Sequence, residues 1–545
     1  MNHPEKPSCR LACPSLLTRQ AAPVAVRHGL CQADRSANDR PSNRRLRDVR
    51  HRALAWFVPL AAAAALLAVM AAKLAAPVQS DEVFTLEAAR LDWPALWAHL
   101  RADVHPPLYY VAVKAWLELS GFTLVSLRLL SLLMSMSALI TAGRVLPPSV
   151  PGRGWASWFL AANGILLVMA AYGRMYAMLV CLCVLAWFAS DRRLREGGRV
   201  YSVLAAVSVA AGQLTHHFFG IFLAALVLWL VVVHGRSAVR LLPEWSAGLA
   251  LWALVWGRAA WEQVTQRPQH LAWVQPVDFL KWAETAGAHA VFVAAALPAA
   301  LLALALRRRP ALSPWPREAR AAAAAFLLAL VLPGAISLWK PVFKSRFTII
   351  AAPFMAAALA PLGGPAAGLW PVAAMAAGAA WIHWPGSQTA CTSLEAARQL
   401  AAASASDTVV FCRLTRKPVE FYWQAGSARR QSFPAEIDAH PGYEGLHPED
   451  ALRAEARRLA ASLRGRVFVL ADTARPAPQI LLQALEEAGF QRQPPLLQCA
   501  SASSHYFNLL AVFDPPLRPP ESPSAAPPAP GSPPRDPVAR AYAPR

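Results

Sequence analysis

Two adjacent carboxylates, Asp81 and Glu82, stand just past the end of a long apolar stretch, and His105-Pro106-Pro107-Leu108-Tyr109-Tyr110 opens the next one. Carboxylates so close to a bilayer boundary are costly to place and usually serve a site. Further along, Arg174 with Tyr176, His216 with His217, and Lys340, Lys344 and Arg346 each lie beside the end of an apolar stretch. A carboxylate can act as general base on an acceptor hydroxyl or amine. Cations beside it can hold a phosphate and stabilise the charge that develops when a bond to it breaks. The residue types therefore suit group transfer from a lipid phosphate.

The elements that must position these groups span a membrane. The chain has 545 residues, 56% hydrophobic and only 16% charged, with a mean hydropathy of +0.32; a soluble protein carries about 25% charged residues. Apolar segments fall at about 54–77, 107–119, 125–143, 155–171, 175–190, 199–214, 217–234, 247–261, 283–306, 319–338, 346–361 and 366–384. Most approach the ~20 residues needed to cross hydrocarbon as a helix. The fold class expected is an all-α polytopic membrane protein of about 11–13 transmembrane helices with a small C-terminal α/β domain. The loop 78–105 is amphipathic (Leu86, Leu91, Trp93, Leu96, Trp97, Leu100) and reads as one or two helices lying in the interface.

The net charge of +21 does not indicate nucleic acid, because it lies in the N-terminal arm and in short loops. Residues 1–52 hold eleven Lys/Arg against four Asp/Glu, lack periodicity and read as a disordered cytoplasmic arm. Basic clusters at Arg192, Arg193 and Arg195, at Arg236 and Arg240, and at Arg307 to Arg309 with Arg317 and Arg320 mark cytoplasmic loops. Alternation then puts loop 78–105, Arg174, His216, Lys340 to Arg346 and everything after 385 on the outer face. Twelve segments break the parity this requires; the 13-residue 107–119 segment, short for a span, or one merged or split helix accounts for it.

Beyond 385 the pattern changes. Short β-like runs (Thr408 to Cys412, Arg466 to Leu470, Tyr506 to Phe513) alternate with helical ones (Ser393 to Ala403, Pro448 to Leu463, Pro478 to Gly489), so 386–513 reads as an α/β domain with a mostly parallel sheet. Residues 514–545 contain twelve prolines and form a Pro-rich tail expected to be disordered. Cys391, Cys412 and Cys499 permit at most one disulfide there, and the sequence does not choose it. No cysteine cluster has zinc-ligand spacing; no metal site is assigned, although His105 with Asp81 and Glu82 would supply the ligand types for a divalent ion.

The stretch SDEVFTLEAARLDWPALWAHLRADVHPPLYYVAVKAWLELSGFTLVSLRLLSLLMSMSAL resembles the opening of the GT-C glycosyltransferases, specifically the bacterial relatives of dolichyl-phosphate-mannose protein mannosyltransferases (family 39-like). AYGRMYAM, LTHHFFG and KPVFKSRF with Pro353 extend the resemblance over about residues 54–385. Arg346-Phe347 stands where Arg-Tyr is more usual, and His217 where Tyr is common. The resemblance implies transfer of a sugar from a polyprenyl-phosphate donor to an extracytoplasmic glycan, lipid or protein acceptor at the bacterial inner membrane. By it Asp81 is the catalytic base candidate and Glu82 its catalytic neighbour. His105, Tyr109, Arg174, Tyr176, His216, Lys340 and Arg346 are the substrate-binding candidates. The rival readings are a transporter or lipid flippase, which would place ionisable groups near the midplane, and a non-catalytic sugar- or lipid-sensing relative.

Overall fold

A computed structural model of the protein describes residues 41–266, 277–298, 301, 315–363, 369–384, 391–435, 448–500 and 507–516. Most of the basic arm, the Arg307 to Arg309 cluster and most of the Pro-rich tail lie outside these residues. By internal contact the chain divides into Met1–Arg52 and Ala53–Arg545. Of the first unit only the backbone from Pro41 is described, as the start of helix α1 (Pro41–Leu74).

The protein is helical and multi-pass, with a small sheet near its C-terminus. Ala- and Leu-rich runs favour helix intrinsically, and in hydrocarbon a helix is the spanning form that satisfies its own backbone. Among the described residues five helical runs are long and apolar enough to cross a membrane: Trp56–Leu74, Leu124–Val145, Phe219–Gln263, Arg317–Ser337 and Ser345–Leu362. The 45-residue run Phe219–Gln263 would rise about 67 Å as one helix, more than twice the hydrocarbon thickness. It turns at Gly235, whose φ of 61° suits only glycine at ease, and so has room for the two expected segments there.

Other expected spans take different forms. The 155–171 stretch breaks into Ala156–Ala161 and Gly164–Met169, because Asn163 between them caps the second piece by accepting the Leu166 N–H at 3.0 Å. The 175–190 segment is a 21-residue helix, Tyr176–Glu196, whose last turns carry Asp191, Arg192, Arg193, Arg195 and Glu196. The 107–119 segment is a 13-residue helix, Leu108–Ser120 (α4). The amphipathic loop forms two helices, α2 (Ser80–Arg90) and α3 (Trp93–Ala102). Asp92 starts α3 by accepting the Ala95 N–H at 2.7 Å. Leu86, Leu96 and Leu100 are buried, whereas Trp93 and Trp97 remain exposed. Helix α5 is Leu124–Val145.

The C-terminal sheet has five strands in the order β2-β1-β3-β5-β4: β1 Thr408–Cys412, β2 Arg429–Phe433, β3 Val467–Ala471, β4 Gln491–Gln498 and β5 Leu509–Asp514. β1 pairs in parallel with β2 and β3, while β5 pairs antiparallel with β3 and β4. The sheet is therefore mixed, not mostly parallel. The two strands absent from the sequence reading are its edges. β4 contains Pro494 and Pro495, is largely exposed and shifts register between Gln493 and Leu497, all features of an edge. Cys391 and Cys499 form a disulfide.

The short helix Arg416–Tyr422 brings this α/β region against α2. The Val78 N–H donates to the Tyr422 hydroxyl at 2.8 Å, Lys417 pairs with Glu87 at 2.9 Å, and Phe421 packs on the apolar core of the helical region.

Candidate active site

The turn from α1 into α2 is fixed by one arginine. Arg128 on α5 donates Nε to Glu82 Oε1 at 2.8 Å and Nη2 to Oε2 at 2.6 Å. Its other donors reach the carbonyls of Lys73, Leu74, Ala76 and Pro77 at the end of α1. A cation is favourable at those unpaired C-terminal carbonyls. Glu82 also accepts the Gln79 N–H at 3.1 Å and the Gly173 N–H at 3.0 Å. A side chain at Gly173 would overlap Leu127 and crowd Glu82 Oε1, so the close approach needs glycine. Glu82 is fully buried with four bonds to its carboxylate. It holds the backbone from which Asp81 projects.

Asp81 turns the other way. Its Oδ2 accepts Arg346 Nη1 at 3.1 Å, and its side chain keeps 22% of its surface exposed. Its backbone carbonyl accepts the Thr85 hydroxyl at 2.9 Å and Arg174 Nη1 at 3.3 Å. Burial pushes the Asp81 carboxyl up. The Arg174 and Arg346 guanidiniums and a hydrogen bond from Tyr172 outweigh that and hold it below the ordinary carboxylate value. The group is an anion paired with Arg346 and further favoured by the charge of Arg174.

Arg174 is buried at the centre of the cluster. Besides Asp81 it reaches the Tyr110 hydroxyl at 3.1 Å and lies 3.4 Å from His105 Nε2. Tyr109 and Tyr110 are both buried in the core, and the Tyr110 hydroxyl is the one that accepts from Arg174. His105 Nδ1 lies 2.8 Å from Asp103 Oδ2. Asp103 was not singled out in the sequence; its signal is an acid two residues before a histidine that precedes two prolines.

His216 follows the helix Arg199–Thr215, and its Nδ1 accepts the Phe218 N–H at 3.1 Å. Its ring lies 6.3 Å from that of His105, 6.2 Å from Tyr176 and 5.3 Å from Phe347. Burial pushes His216 well below the ordinary histidine value and His217 down to about 4. Arg346 sits on the 3-10 turn Ser345–Ala351, with its guanidinium 5.9 Å from the Tyr176 ring. Asp81, His105, Arg174, Tyr176, His216 and Arg346 thus converge on one place. Lys340 follows the helix Arg317–Ser337, where its backbone N–H bonds the Ile336 carbonyl at 2.9 Å. Lys344 belongs to a neighbouring basic cluster, where burial, Lys281, Arg346 and Arg475 lower its pKa.

Among the described residues no group of three or more His, Cys, Asp or Glu side chains could hold a metal ion. Glu82 is committed to Arg128, and Asp81 meets a guanidinium where a cation would have to bind. What the site can do is hold an anionic group on Arg174 and Arg346 while a carboxylate and two histidines face the same volume.

No protein-family model and no curated protein matches the chain. Among solved structures it is similar to ArnT from Cupriavidus metallidurans bound to undecaprenyl phosphate, at 11% identity and a TM-score of 0.48, covering 87% of this chain and 98% of that one. It is also similar to the apo form of that ArnT, at 11% identity and 0.45, covering 75% and 87%. The arabinofuranosyltransferase AftD from Mycobacteria aligns at 16% identity and 0.41, over 84% of this chain and 41% of that one. At this depth of likeness no activity is carried over from these proteins.

Proposed function

We propose that the chain is an integral membrane glycosyltransferase of GT-C type, one that moves a sugar from a polyprenyl-phosphate donor to an extracytoplasmic glycan, lipid or protein. The observation that carries this reading is the Asp81–Arg346 ion pair at 3.1 Å with the Arg174 guanidinium near enough to act on the same carboxylate. A carboxylate between two phosphate-binding cations is the minimum such a transfer needs.

In this reading the donor phosphate displaces Asp81 from part of Arg346, whose planar fork suits phosphate. Arg174 and the His216 Nε2–H lie alongside; that nitrogen carries the proton because Nδ1 accepts from Phe218. Asp81 then faces the acceptor. The acceptor passes its proton to Asp81, and its oxygen or nitrogen attacks the anomeric carbon as the bond from that carbon to the phosphate oxygen breaks. The electron pair leaves on polyprenyl phosphate, and single displacement inverts the carbon. Tyr176 and His216 would line the sugar, and Glu82 acts through its hold on the α1–α2 turn.

The disulfide supports the orientation. Disulfides persist in oxidising compartments, and the region that carries Cys391–Cys499 docks on α2, next to Asp81. The site would therefore open on the periplasmic side of the bacterial inner membrane. The test is transfer by purified protein in proteoliposomes holding a panel of decaprenyl-phosphate pentoses and hexoses, with mass spectrometry of envelope glycans from cells with and without the protein. The reading expects one donor to be consumed and its sugar to be missing from the deficient cells. Loss of turnover in Asp81→Asn with normal expression is also expected; full activity of that variant would sink the reading.

A further inference from the structure

Arg346 is carried by a weak element. The 3-10 turn Ser345–Ala351 has seven residues, and 3-10 runs longer than about three or four residues are uncommon because their hydrogen bonds are poorly aligned. This turn has to present a guanidinium to Asp81 at 3.1 Å and the Phe347 ring to His216. Successive side chains on such a turn step by about 120°, so Thr348 leaves it in a third direction, away from Arg346 and Phe347. Thr348 is fully buried there.

A chain of hydrogen bonds ends on it. Asn163 stands in the break between Ala156–Ala161 and Gly164–Met169, and His289 lies on the helix Phe279–Ala295. Both are fully buried. Asn163 Nδ2 lies 3.0 Å from His289 Nδ1 and donates to the His289 carbonyl at 3.2 Å. His289 Nε2 lies 2.9 Å from Thr348 Oγ1, and the Thr348 hydroxyl donates to the Ser345 carbonyl at 2.7 Å. The two ends set the direction of every bond. Asn163 Oδ1 accepts the Leu166 N–H, so its Nδ2 is the donor and His289 Nδ1 carries the lone pair. His289 Nε2 then carries the proton and donates to Thr348, whose own proton goes to a carbonyl. That carbonyl belongs to the peptide bond joining Ser345 to Arg346. A buried polar network whose members are all satisfied rigidifies what it joins. Gly164 tightens the same junction: a side chain there would overlap the Ala288 carbonyl, so the break packs directly on the backbone beside His289.

We propose that His289, keyed by Asn163, is a positioning residue for transfer: through Thr348 it fixes the turn from which Arg346 reaches Asp81 and the donor phosphate. The inference rests on the glycosyl-transfer reading above. Polar side chains that only tie apolar helices together bond from helix to helix. This chain instead runs on to the peptide of the phosphate-binding arginine, on an element that does not hold its own geometry well. His289 touches no reacting atom; it acts through the place it gives Arg346.

A double-mutant cycle separates this role from a structural one. The assay follows single-turnover consumption of decaprenyl-phosphate sugar by the full chain in proteoliposomes, at equal amounts of folded protein by circular dichroism. Thr348→Val keeps the side chain's shape and removes its hydroxyl. A group misplaced by about 1 Å can cost about 10²-fold, so Thr348→Val and His289→Leu are expected to lose about 10- to 100-fold of the transfer rate, and Thr348→Ser, which keeps the hydroxyl, no more than about threefold. Arg346→Ala should lose about 10²-fold or more by itself. Independent effects multiply, whereas effects that pass through one group do not. Added to Arg346→Ala, Thr348→Val and His289→Leu should therefore cost no more than about threefold further. If His289→Leu does not fold, the Thr348 variants decide alone. Thr348→Val at the wild-type rate, Thr348→Ser as slow as Thr348→Val, or losses that multiply in the Arg346→Ala background overturn the assignment and leave the glycosyl-transfer reading standing. A wild-type protein that consumes no donor in the panel removes that reading itself, and this proposal with it.

Discussion

The Arg128 guanidinium grips the Glu82 carboxylate through two parallel hydrogen bonds, at 2.8 and 2.6 Å, with both side chains almost wholly buried. Removing one partner of such a pair leaves an uncompensated buried charge, which costs about 3–5 kcal/mol. Glu82→Ala and Arg128→Met should therefore lower the melting temperature in detergent sharply and reduce the yield of folded protein. Asp81→Asn breaks only a partly exposed contact, worth about 0–1 kcal/mol, and should leave the melting temperature nearly unchanged. Similar melting of all three would mean that the adjacent acids share one role.

Asp81 also sets a pH window. In the folded protein burial raises its carboxyl, and Arg174 and then Arg346 outweigh that and hold it below the ordinary value. A depressed carboxylate contributes stability that is fully present above its unfolded value and is lost as pH falls through the folded one. The difference in melting temperature between wild type and Asp81→Asn should be flat from about pH 5 to 8 and change only below about pH 4. Arg346→Met removes one opposing cation, so the Asp81 carboxyl moves up towards its unfolded value and the loss below about pH 4 becomes smaller. Melting curves of the three proteins across that range check the sign.

Much of this site was legible in the sequence because its parts are local signals at the ends of apolar runs. Asp81, His105, Arg174, Tyr176, His216 and Arg346 were marked that way, and the structure brings them together. Spacing could not reveal which of two neighbouring tyrosines meets the arginine. Tyr109 and Tyr110 differ by one helical step of about 100°, and only packing shows that Tyr110 meets Arg174. Glu82 and Arg128 are 46 residues apart, so their pairing is a tertiary fact. The edge strands β2 and β4 escaped because edges lack the apolar alternation that marks a strand buried on its faces. The disulfide partner of Cys391 likewise depended on the chain path, since β4 ends beside it 108 residues later.

His217 supplies a slope of the opposite origin. Burial pushes it down to about 4, while an unfolded histidine titrates near 6.5. Between those values the unfolded chain binds the extra proton, so stability falls as the pH is lowered from about 6.5 to about 4. The histidine's share is about 3 kcal/mol across that window. His216, lowered by burial too, adds to it. Denaturation of wild type should show this loss, and His217→Tyr should remove a clear part of the slope. An unchanged slope would mean that His217 is solvated or charged in the folded protein.

Which side of the membrane the site faces can be read from thiol chemistry. Cys391 and Cys499 are joined in the region that contacts α2 through Tyr422–Val78 and Lys417–Glu87, so Asp81 lies on whichever side of the membrane carries that bond. In spheroplasts, brief reduction by an impermeant phosphine followed by an impermeant maleimide should label both cysteines. Cys9, Cys13 and Cys31, in the basic arm expected in the cytoplasm, should label only after permeabilisation. Peptide mapping assigns each modified residue. Labelling of the arm cysteines in intact spheroplasts, with Cys391 and Cys499 protected until lysis, would invert the topology and place the Asp81–Arg346 pair against the cytoplasmic leaflet.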